Sequence, residues 1–223
     1  MFLAVIFDRD GVLTEFDIQA GIAYFESLLP ISIYDLASRW KKWGAKTGFP
    51  RNLLEETKFW SGFWDNLSSD LNLPLSIRTR LHYVDYKLFL QPFADAYTAL
   101  LTARKHGLRT GVLSNFTLAS LYDSLIAVGL AELVDAACSA TVIGAAKPKP
   151  AAYLTISQTL ITLPHQCLFF DDEPDNVAGA QALGMSAYLV DRQRKTHDLP
   201  HHVVCDLTAL PLILRQSQTI QNQ

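Results

Sequence analysis

Residues 3–14 read LAVIFDRDGVLT, and this stretch decides how the rest of the chain is interpreted. Five apolar residues run directly into Asp8-Arg9-Asp10-Gly11. A short apolar run that ends at a glycine is typical of a strand buried on both faces of a parallel sheet. If the extended geometry continues, Asp8 and Asp10 lie on the same side, at the strand end where open α/β sheets bind ligands.

This pair of acids predicts a cation site. Two carboxylates so close together repel each other unless a cation neutralises them or one of them holds a proton. Mg²⁺ prefers oxygen ligands and takes few protein carboxylates, so it suits the pair. An acidic turn that closes a strand explains the same residues, because Asp and Gly are ordinary turn residues. The stretch alone leaves both interpretations open.

Composition narrows the class of protein. The chain has 223 residues, of which 49% are hydrophobic and 18% charged, as expected of a folded globular protein. A net charge of −3 argues against nucleic acid as a partner. The three cysteines, Cys138, Cys167 and Cys205, are too few and too widely spaced for a disulfide framework or a zinc site. We expect a cytoplasmic protein with no membrane partner, as a monomer or a homodimer.

Residues 16–90 have helical periodicity. Trp60, Phe63, Trp64 and Leu67 follow the spacing of one face of an amphipathic helix, and every tryptophan of the chain lies in this segment. The aromatic stripe favours the interior of a small helical bundle over a ligand cage.

From residue 91 onward, short apolar runs alternate with helical patterns. Strands are predicted at 108–113, 134–138, 167–170, 187–190 and 203–205. Helices are predicted at 94–106, 118–128, 151–163 and from Pro174 to Leu183. This alternation predicts an α/β fold with a doubly wound parallel sheet. The predicted core comprises residues 1–15 and 91–215, the predicted α-helical cap is the inserted segment 16–90 with a hinge at Gln91-Pro92, and residues 216–223 are a frayed tail.

Chemically useful side chains follow other predicted strands as well: Ser114-Asn115, Lys147 and Asp171-Asp172. Each has an ordinary explanation, as a helix cap, a surface lysine or acids that oppose a helix dipole. Their convergence with the first acidic pair at one sheet edge predicts a site for a metal ion and a phosphoryl group, because phosphoryl transfer needs a nucleophile, charge neutralisation and hydrogen bonds to the equatorial oxygens.

The order of these residues closely resembles that of the haloacid dehalogenase-like (HAD) hydrolase superfamily. The position of the inserted segment is similar to the branch with an α-helical cap, which includes phosphoglycolate phosphatases and β-phosphoglucomutases. The resemblance covers nearly the whole chain. It implies a Rossmann-like core with a helical cap and a Mg²⁺-dependent phosphatase that acts on a small phosphorylated metabolite.

The resemblance also implies catalytic roles. Asp8 would be the nucleophile that forms an aspartyl-phosphate intermediate, and Asp10 the general acid and base. Ser114 and the backbone of Asn115 would bind a phosphoryl oxygen. Lys147 would neutralise both the nucleophile and the transferring group.

The implied metal ligands come from the two acidic pairs. Mg²⁺ would be held by the Asp8 carboxylate, the Asp10 carbonyl and Asp172. Asp171 would support the ion directly or through water.

Two residues depart from the family pattern. Arg9 replaces an apolar residue between the two acids, and strand alternation predicts that its side chain points away from them. Lys149 stands where an acidic residue is common, and we expect it to change local charge only.

Three alternatives stay open. A 2-haloacid dehalogenase shares the nucleophile but does not need Asp10 to protonate its leaving group. A phosphosugar mutase needs cationic cap residues for a second phosphate, and the candidates are Arg39, Lys41, Lys42, Lys46, Arg78, Arg80 and His82. A non-catalytic regulatory or binding protein on the same fold is the third.

Overall fold

The computed structural model describes residues 1–221 and the side chains of residues 1–217. In this part of the chain the strands are β1 (Ala4–Phe7), β2 (Thr14–Phe16), β3 (Leu90–Pro92), β4 (Arg109–Ser114), β5 (Ala136–Ser139), β6 (Cys167–Asp171), β7 (Ser186–Val190) and β8 (Val203–Val204). The α-helices are α1 (Ile18–Glu26), α2 (Ile33–Thr47), α3 (Leu53–Asp70), α4 (Leu75–Leu81), α5 (Ala96–Lys105), α6 (Leu121–Ala127), α7 (Ala140–Ile143), α8 (Pro150–Thr159), α9 (Pro174–Ala182) and α10 (Leu210–Gln221).

Six of the strands form one sheet in the order β5-β4-β1-β6-β7-β8. All of the pairings in this sheet are parallel. The first strand therefore lies in the middle, between β4 and β6, and the chain winds outward from it in both directions. This arrangement confirms the α/β, doubly wound, Rossmann-like sheet.

Both faces of the central strand are buried, which explains its unbroken apolar run. Val5 and Phe7 pack into one hydrophobic cluster, and Ala4 and Ile6 into a second cluster on the other face. Successive side chains of a strand point to opposite faces, so a strand covered by helices on both sides is apolar throughout.

Residues 17–89 form a separate helical layer, which we call the helical insertion. Strands β2 and β3 pair antiparallel on either side of it, from Thr14 opposite Pro92 to Phe16 opposite Leu90. The chain therefore leaves the core and returns to it through one two-stranded ribbon. The insertion has a hydrophobic cluster of its own, built around Phe25, Phe63 and Trp64.

The core and cap boundaries stay predictions, as does the hinge at Gln91-Pro92, which the structure places in the ribbon. One local expectation, the frayed tail, needs correction. Helix α10 continues through residues 216–221 of the predicted frayed tail, because Leu210, Ile213 and Leu214 are buried and anchor it to the core. Residues 222 and 223 of that tail lie outside the described residues.

No helix in the described part of the chain is long and apolar enough to cross a bilayer.

Candidate active site

Three strands bring the predicted site residues to one edge of the sheet. Asp8 directly follows β1, Ser114 ends β4 and Asp171 ends β6. The backbone N–H of Asp8 donates to the carbonyl of Phe170 on β6 at 2.8 Å. Since neighbouring parallel strands end at the same edge, the three side chains converge as the sequence predicts.

Lys147 lies between two of these acids. Its Nζ is 3.0 Å from Asp8 Oδ1 and 2.6 Å from Asp171 Oδ2, and its side chain is fully buried. Asp171 is equally buried, and its other oxygen accepts hydrogen bonds from the Glu173 N–H and the Asn176 Nδ2. One ammonium group therefore holds two carboxylates at the centre of the site.

The side chain of Asn115 positions Lys147. Its Oδ1 accepts from the Lys147 N–H at 2.8 Å, and its Nδ2 donates to the Lys147 carbonyl at 3.0 Å. Both groups of the amide are used on the loop that carries the lysine. The amide is thus engaged with Lys147, and binding of a phosphoryl oxygen by the Asn115 backbone stays a prediction.

The buried position of Asp8 makes it a weaker acid than a free aspartate. Burial raises the pKa of Asp8 to about 7, the Lys147 ammonium opposes that rise, and the Asp171 carboxylate adds to it. Asp8 Oδ1 accepts from both the Arg9 N–H and Lys147 Nζ. Its Oδ2 is therefore the oxygen left for attack or for a metal ion.

The donor set fits a divalent cation that prefers oxygen. Asp8, Asp171 and Asp172 each place one carboxylate oxygen so that the three lie within 4.8 Å of one another. Burial and the neighbouring Asp171 also raise the pKa of Asp172. Three carboxylates beside one ammonium leave negative charge that a Mg²⁺ ion would neutralise with its preferred ligands. All three residues belong to the ligand set that the resemblance implies, and the role of the Asp10 carbonyl in that set stays a prediction.

Gly11 makes room for that acidic cluster. Its φ is +76°, and a Cβ at this position would lie 2.1 Å from Asp172 Oδ2. Both the left-handed backbone and the close approach require glycine. The turn after β1 can therefore lie directly against the acid from β6.

Arg9 differs from the prediction. Its guanidinium forms two hydrogen bonds with Asp10, at 2.7 Å and 3.0 Å, and also donates to Ser124 Oγ. It lies over the Phe116 ring, 3.8 Å from the centroid, and is almost fully buried. Strand alternation does not reach Arg9 because β1 ends at Phe7 and the chain turns immediately afterwards.

Asp10 itself stands at the open side of the site. Its side chain is 52% exposed, although two hydrogen bonds from Arg9 fix its direction. Together with Asp8 it lines a cavity of about 820 Å³ between the sheet edge and the helical insertion. An accessible carboxylate with a fixed orientation suits proton transfer to a bound molecule.

Ser114 lines the same cavity from the core side. Its Oγ accepts a hydrogen bond from the Phe116 N–H at 3.1 Å. The hydroxyl rotates to suit its partners, so its hydrogen is available to an oxygen of a bound phosphoryl group.

The helical insertion closes the cavity with aromatic side chains. Trp40, Trp60 and Tyr86 line it from that side, and Phe16 lines it from the ribbon. Trp40 and Trp60 are stacked, with ring centroids 6.1 Å apart. We call this space of about 820 Å³ the catalytic cavity. Charged side chains line it on the sheet side, and aromatic side chains line it on the insertion side.

Glu56 joins the two parts of the molecule and was not predicted as a functional residue. This buried acid on α3 accepts hydrogen bonds from the N–H and the Oγ of Ser120, at 2.8 Å and 2.6 Å. The Tyr86 hydroxyl is 2.9 Å from the same Ser120 Oγ. Glu56 precedes Phe59, Trp60 and Phe63 on one helix face, and an acid in an apolar stripe is the signal that could have identified it.

The basic residues considered for a second phosphate lie elsewhere. None of the seven candidates lines the catalytic cavity, within the residues that the structure describes. Arg39 pairs with Asp70 at 3.6 Å, His82 with Asp65 at 3.0 Å, and Arg78 donates to the Leu73 carbonyl. This placement weighs against the mutase alternative.

Comparison with known proteins agrees with this geometry. A family model described as haloacid dehalogenase-like hydrolase matches residues 2–184. The chain is 41% identical over 212 residues to Phosphatase MT3486 of Mycobacterium tuberculosis (strain CDC 1551 / Oshkosh), covering 95% of this chain and 96% of the relative. It is 28% identical over 148 residues to (S)-2-haloacid dehalogenase 2 of Pseudomonas sp. (strain CBS-3), covering 65% of each chain.

Solved structures share the fold. The crystal structure of a HAD phosphatase from Thermococcus onnurineus superposes with a TM-score of 0.62 at 20% identity, covering 96% of this chain and 98% of the other. At this identity the likeness bears on the fold alone.

Proposed function

Because the chain belongs to the haloacid dehalogenase-like hydrolase family and is a hydrolase, we propose that it is a Mg²⁺-dependent phosphatase of small phosphorylated molecules. The observation that carries the proposal is the cluster of Asp8, Asp171 and Asp172, the first two of which are paired with Lys147. Such a cation site beside a nucleophile suits a dianionic phosphoryl group, whose charge must be neutralised during transfer. The free cysteines, two of them buried, support the cytoplasm as its compartment.

The first half of the reaction is carried by Asp8 and Asp10. Asp8 Oδ2 attacks phosphorus, and the bond between phosphorus and the ester oxygen breaks. Asp10 gives its proton to the departing oxygen, so that an alcohol leaves instead of an alkoxide. Lys147 and the Ser114 hydroxyl hold negative charge on the phosphoryl oxygens.

The second half reverses the role of Asp10. Its carboxylate takes a proton from the water that attacks the aspartyl-phosphate, the bond between phosphorus and Asp8 breaks, and inorganic phosphate leaves. A bound Mg²⁺ ion would supply charge neutralisation and a template for the phosphoryl group.

The leaving group separates this proposal from dehalogenation. A halide departs as a stable anion and needs neither the Asp10 proton nor a divalent cation. The chain has an oriented acid at Asp10 and a three-carboxylate cluster, which both have uses in phosphate ester hydrolysis. The 41% identity to a protein named as a phosphatase also supports the ester substrate.

The test is hydrolysis of p-nitrophenyl phosphate, with Mg²⁺ and with EDTA, beside chloride release from 2-chloropropionate. We expect ester hydrolysis that EDTA abolishes and that Asp8→Asn lowers at least about a thousandfold. Asp172→Asn should lose the response to Mg²⁺, whereas the matched control Asp175→Asn, at the rim of the same cavity, should keep it.

Two results contradict the proposal. Chloride release that needs Asp8 but not Mg²⁺ assigns the chain to the dehalogenases. No turnover of either substrate, together with no Mg²⁺ binding by calorimetry, assigns it to the regulatory alternative.

A further inference from the structure

A second, partly open cavity of about 280 Å³ lies between the helices of the insertion and Phe16 of the ribbon, and we call it the apolar chamber. Within the described residues, no Asp, Glu, Lys or Arg side chain lines it. Its walls include Phe25, Ile33, Leu36, Phe63, Trp64 and Val84. It is therefore an apolar space in the part of the molecule that covers the active site.

The apolar chamber adjoins the catalytic cavity. Phe16, Trp40, Trp60 and Tyr86 line both spaces. The Trp60 ring is stacked with Trp40 and also with Tyr86, at 6.3 Å between centroids. These four side chains form the wall between the two spaces, so the chamber is an apolar space directly adjacent to a molecule held at the sheet edge.

The chamber opens to the surface beside the exposed ring of Tyr34, so it is an apolar groove and not a void in a packed interior. An apolar cavity of roughly 150 Å³ already accepts benzene. The chamber can accordingly hold an apolar group of about one or two rings, or an alkyl chain of similar volume.

The distribution of charged side chains also favours a substrate with one phosphoryl group and an apolar remainder. Asp172, Glu173 and Asp175 line the catalytic cavity and disfavour a second anionic group on the substrate. The basic side chains of α2, including Arg39, Lys42 and Lys46, line a different groove together with Asp35 and Asp70. The site therefore offers cationic and metal-binding groups for one phosphoryl group and apolar surface for the remainder.

We propose that the apolar chamber binds the leaving group, so that the substrates are phosphate monoesters of uncharged, apolar alcohols. This inference rests on the proposed phosphatase function, because the phosphoryl group must be held beside Asp8 for the leaving group to reach the chamber. Sugar phosphates and phosphorylated carboxylic acids are excluded as preferred substrates, since their polar groups would lose hydration in the chamber.

Chain length is the direct test. Ethyl, butyl and hexyl phosphate are esters of primary alcohols of similar basicity, and glycerol 3-phosphate is their polar counterpart. Each buried methylene contributes roughly fourfold, so kcat/KM should rise at least about tenfold from ethyl to hexyl phosphate. Glycerol 3-phosphate should fall below butyl phosphate. Equal kcat/KM values along the alkyl series, or a preference for glycerol 3-phosphate, would overturn the inference.

A pair of variants locates the effect in the chamber. Ala37 lines the chamber from an exposed position on α2, and Ala45 is exposed on the same helix away from it. Leucine and alanine have similar helix propensities, so both variants should fold. Ala37→Leu should lower the ratio of kcat/KM for hexyl over ethyl phosphate about tenfold, and Ala45→Leu should leave that ratio unchanged. An equal ratio in both variants contradicts the placement.

Binding without turnover separates this inference from the proposed function. Hexylphosphonate and ethylphosphonate cannot be cleaved, and calorimetry with Mg²⁺ present measures their affinities for the wild-type protein. Tighter binding of hexylphosphonate, by at least about tenfold, supports the chamber even if no ester is hydrolysed. Equal affinities reject the chamber even if the protein is a phosphatase.

Discussion

The edge of the sheet and the helical insertion face each other across one cavity, but the first lines it with charged side chains and the second with aromatic ones. On the sheet side, the buried Lys147 Nζ lies within 3.0 Å of a carboxylate oxygen of Asp8 and of Asp171. On the insertion side, the wall consists of aromatic rings such as Trp40 and Trp60. Charged groups lie where the backbone register fixes them, and apolar groups lie where packing fixes them.

In the proposed phosphatase, this contrast would assign reactivity to the sheet edge and substrate selectivity to the insertion. Buried charges act strongly only at defined distances, and parallel strands provide such distances. Apolar contacts depend on area and shape, and helices that pack side by side can vary both without moving the reacting atoms. Substitutions at the sheet edge should therefore lower the rate of the reaction, whereas substitutions in the insertion should change stability and substrate binding by smaller amounts.

The largest effect is expected at Lys147. Lys147→Met leaves Asp8 and Asp171 without their shared cation and should lower kcat/KM at least about a thousandfold. It should also lower the free energy of unfolding by about 3 kcal/mol or more, because breaking a buried pair leaves an uncompensated charge. Kinetics with p-nitrophenyl phosphate and urea unfolding measure the two quantities.

Lys149 provides the control, since it is exposed and two residues away. Lys149→Met should change neither quantity. Activity of Lys147→Met within tenfold of wild type would remove the lysine from the catalytic machinery.

The second effect concerns Gly11. Gly11→Ala forces a Cβ against Asp172, displaces that carboxylate and should lower kcat/KM about a hundredfold, with weaker Mg²⁺ binding by calorimetry. Gly48→Ala has the same kind of backbone strain, at φ +86°, with no atom within 4 Å of the added carbon. It should lose stability only, by about 1 kcal/mol. Equal Mg²⁺ affinity in both variants would mean that the close approach at Gly11 is unimportant.

Substitution of Arg9 should lower activity less than substitution of Gly11. Arg9→Met keeps contact with the Phe116 ring but removes both hydrogen bonds to Asp10, so kcat should fall about tenfold. Arg104→Met removes a surface arginine and should have no effect on kcat. If Arg9→Met matches wild type while Asp10→Asn is inactive, the orientation of Asp10 does not depend on Arg9.

The smallest effect on activity is expected at Glu56. Glu56→Ala leaves the Ser120 N–H without its acceptor and the Ser120 hydroxyl with Tyr86 alone, and it should lower the free energy of unfolding by about 1–3 kcal/mol. The insertion is then held less firmly, which should raise KM for esters without a matching loss of kcat. Glu132→Gln, at an exposed position, is the control. A loss of kcat with unchanged KM would instead place Glu56 in the chemistry.

The sheet side was largely predictable from the sequence. Buried strands are short apolar runs that end abruptly, and Phe7, Leu113 and Phe170 mark three such ends. Parallel register then brings the following polar residues together without further information. Prediction was wrong at Arg9, because the side-chain direction there depends on a turn and not on strand periodicity.

The insertion side was predictable only as a set of helices. The ribbon from β2 and β3 has three residues in each strand, too few for a periodic signal. The bond between Glu56 and Ser120 joins residues 64 positions apart, and local patterns do not report such pairs. Whether an aromatic stripe closes completely or leaves a chamber depends on how several helices pack, which no single helix encodes.

The distribution of indole rings has a consequence for spectroscopy. Trp40, Trp43, Trp60 and Trp64 are the complete set of tryptophans, and all four lie in the helical insertion. Intrinsic tryptophan emission therefore follows unfolding of the insertion, while far-ultraviolet circular dichroism follows both parts of the molecule. Coincident transitions identify one cooperative unit, and an earlier emission change identifies an insertion that melts first. The protein therefore carries a natural fluorescent label on the helical insertion and none on the sheet that holds the acidic cluster.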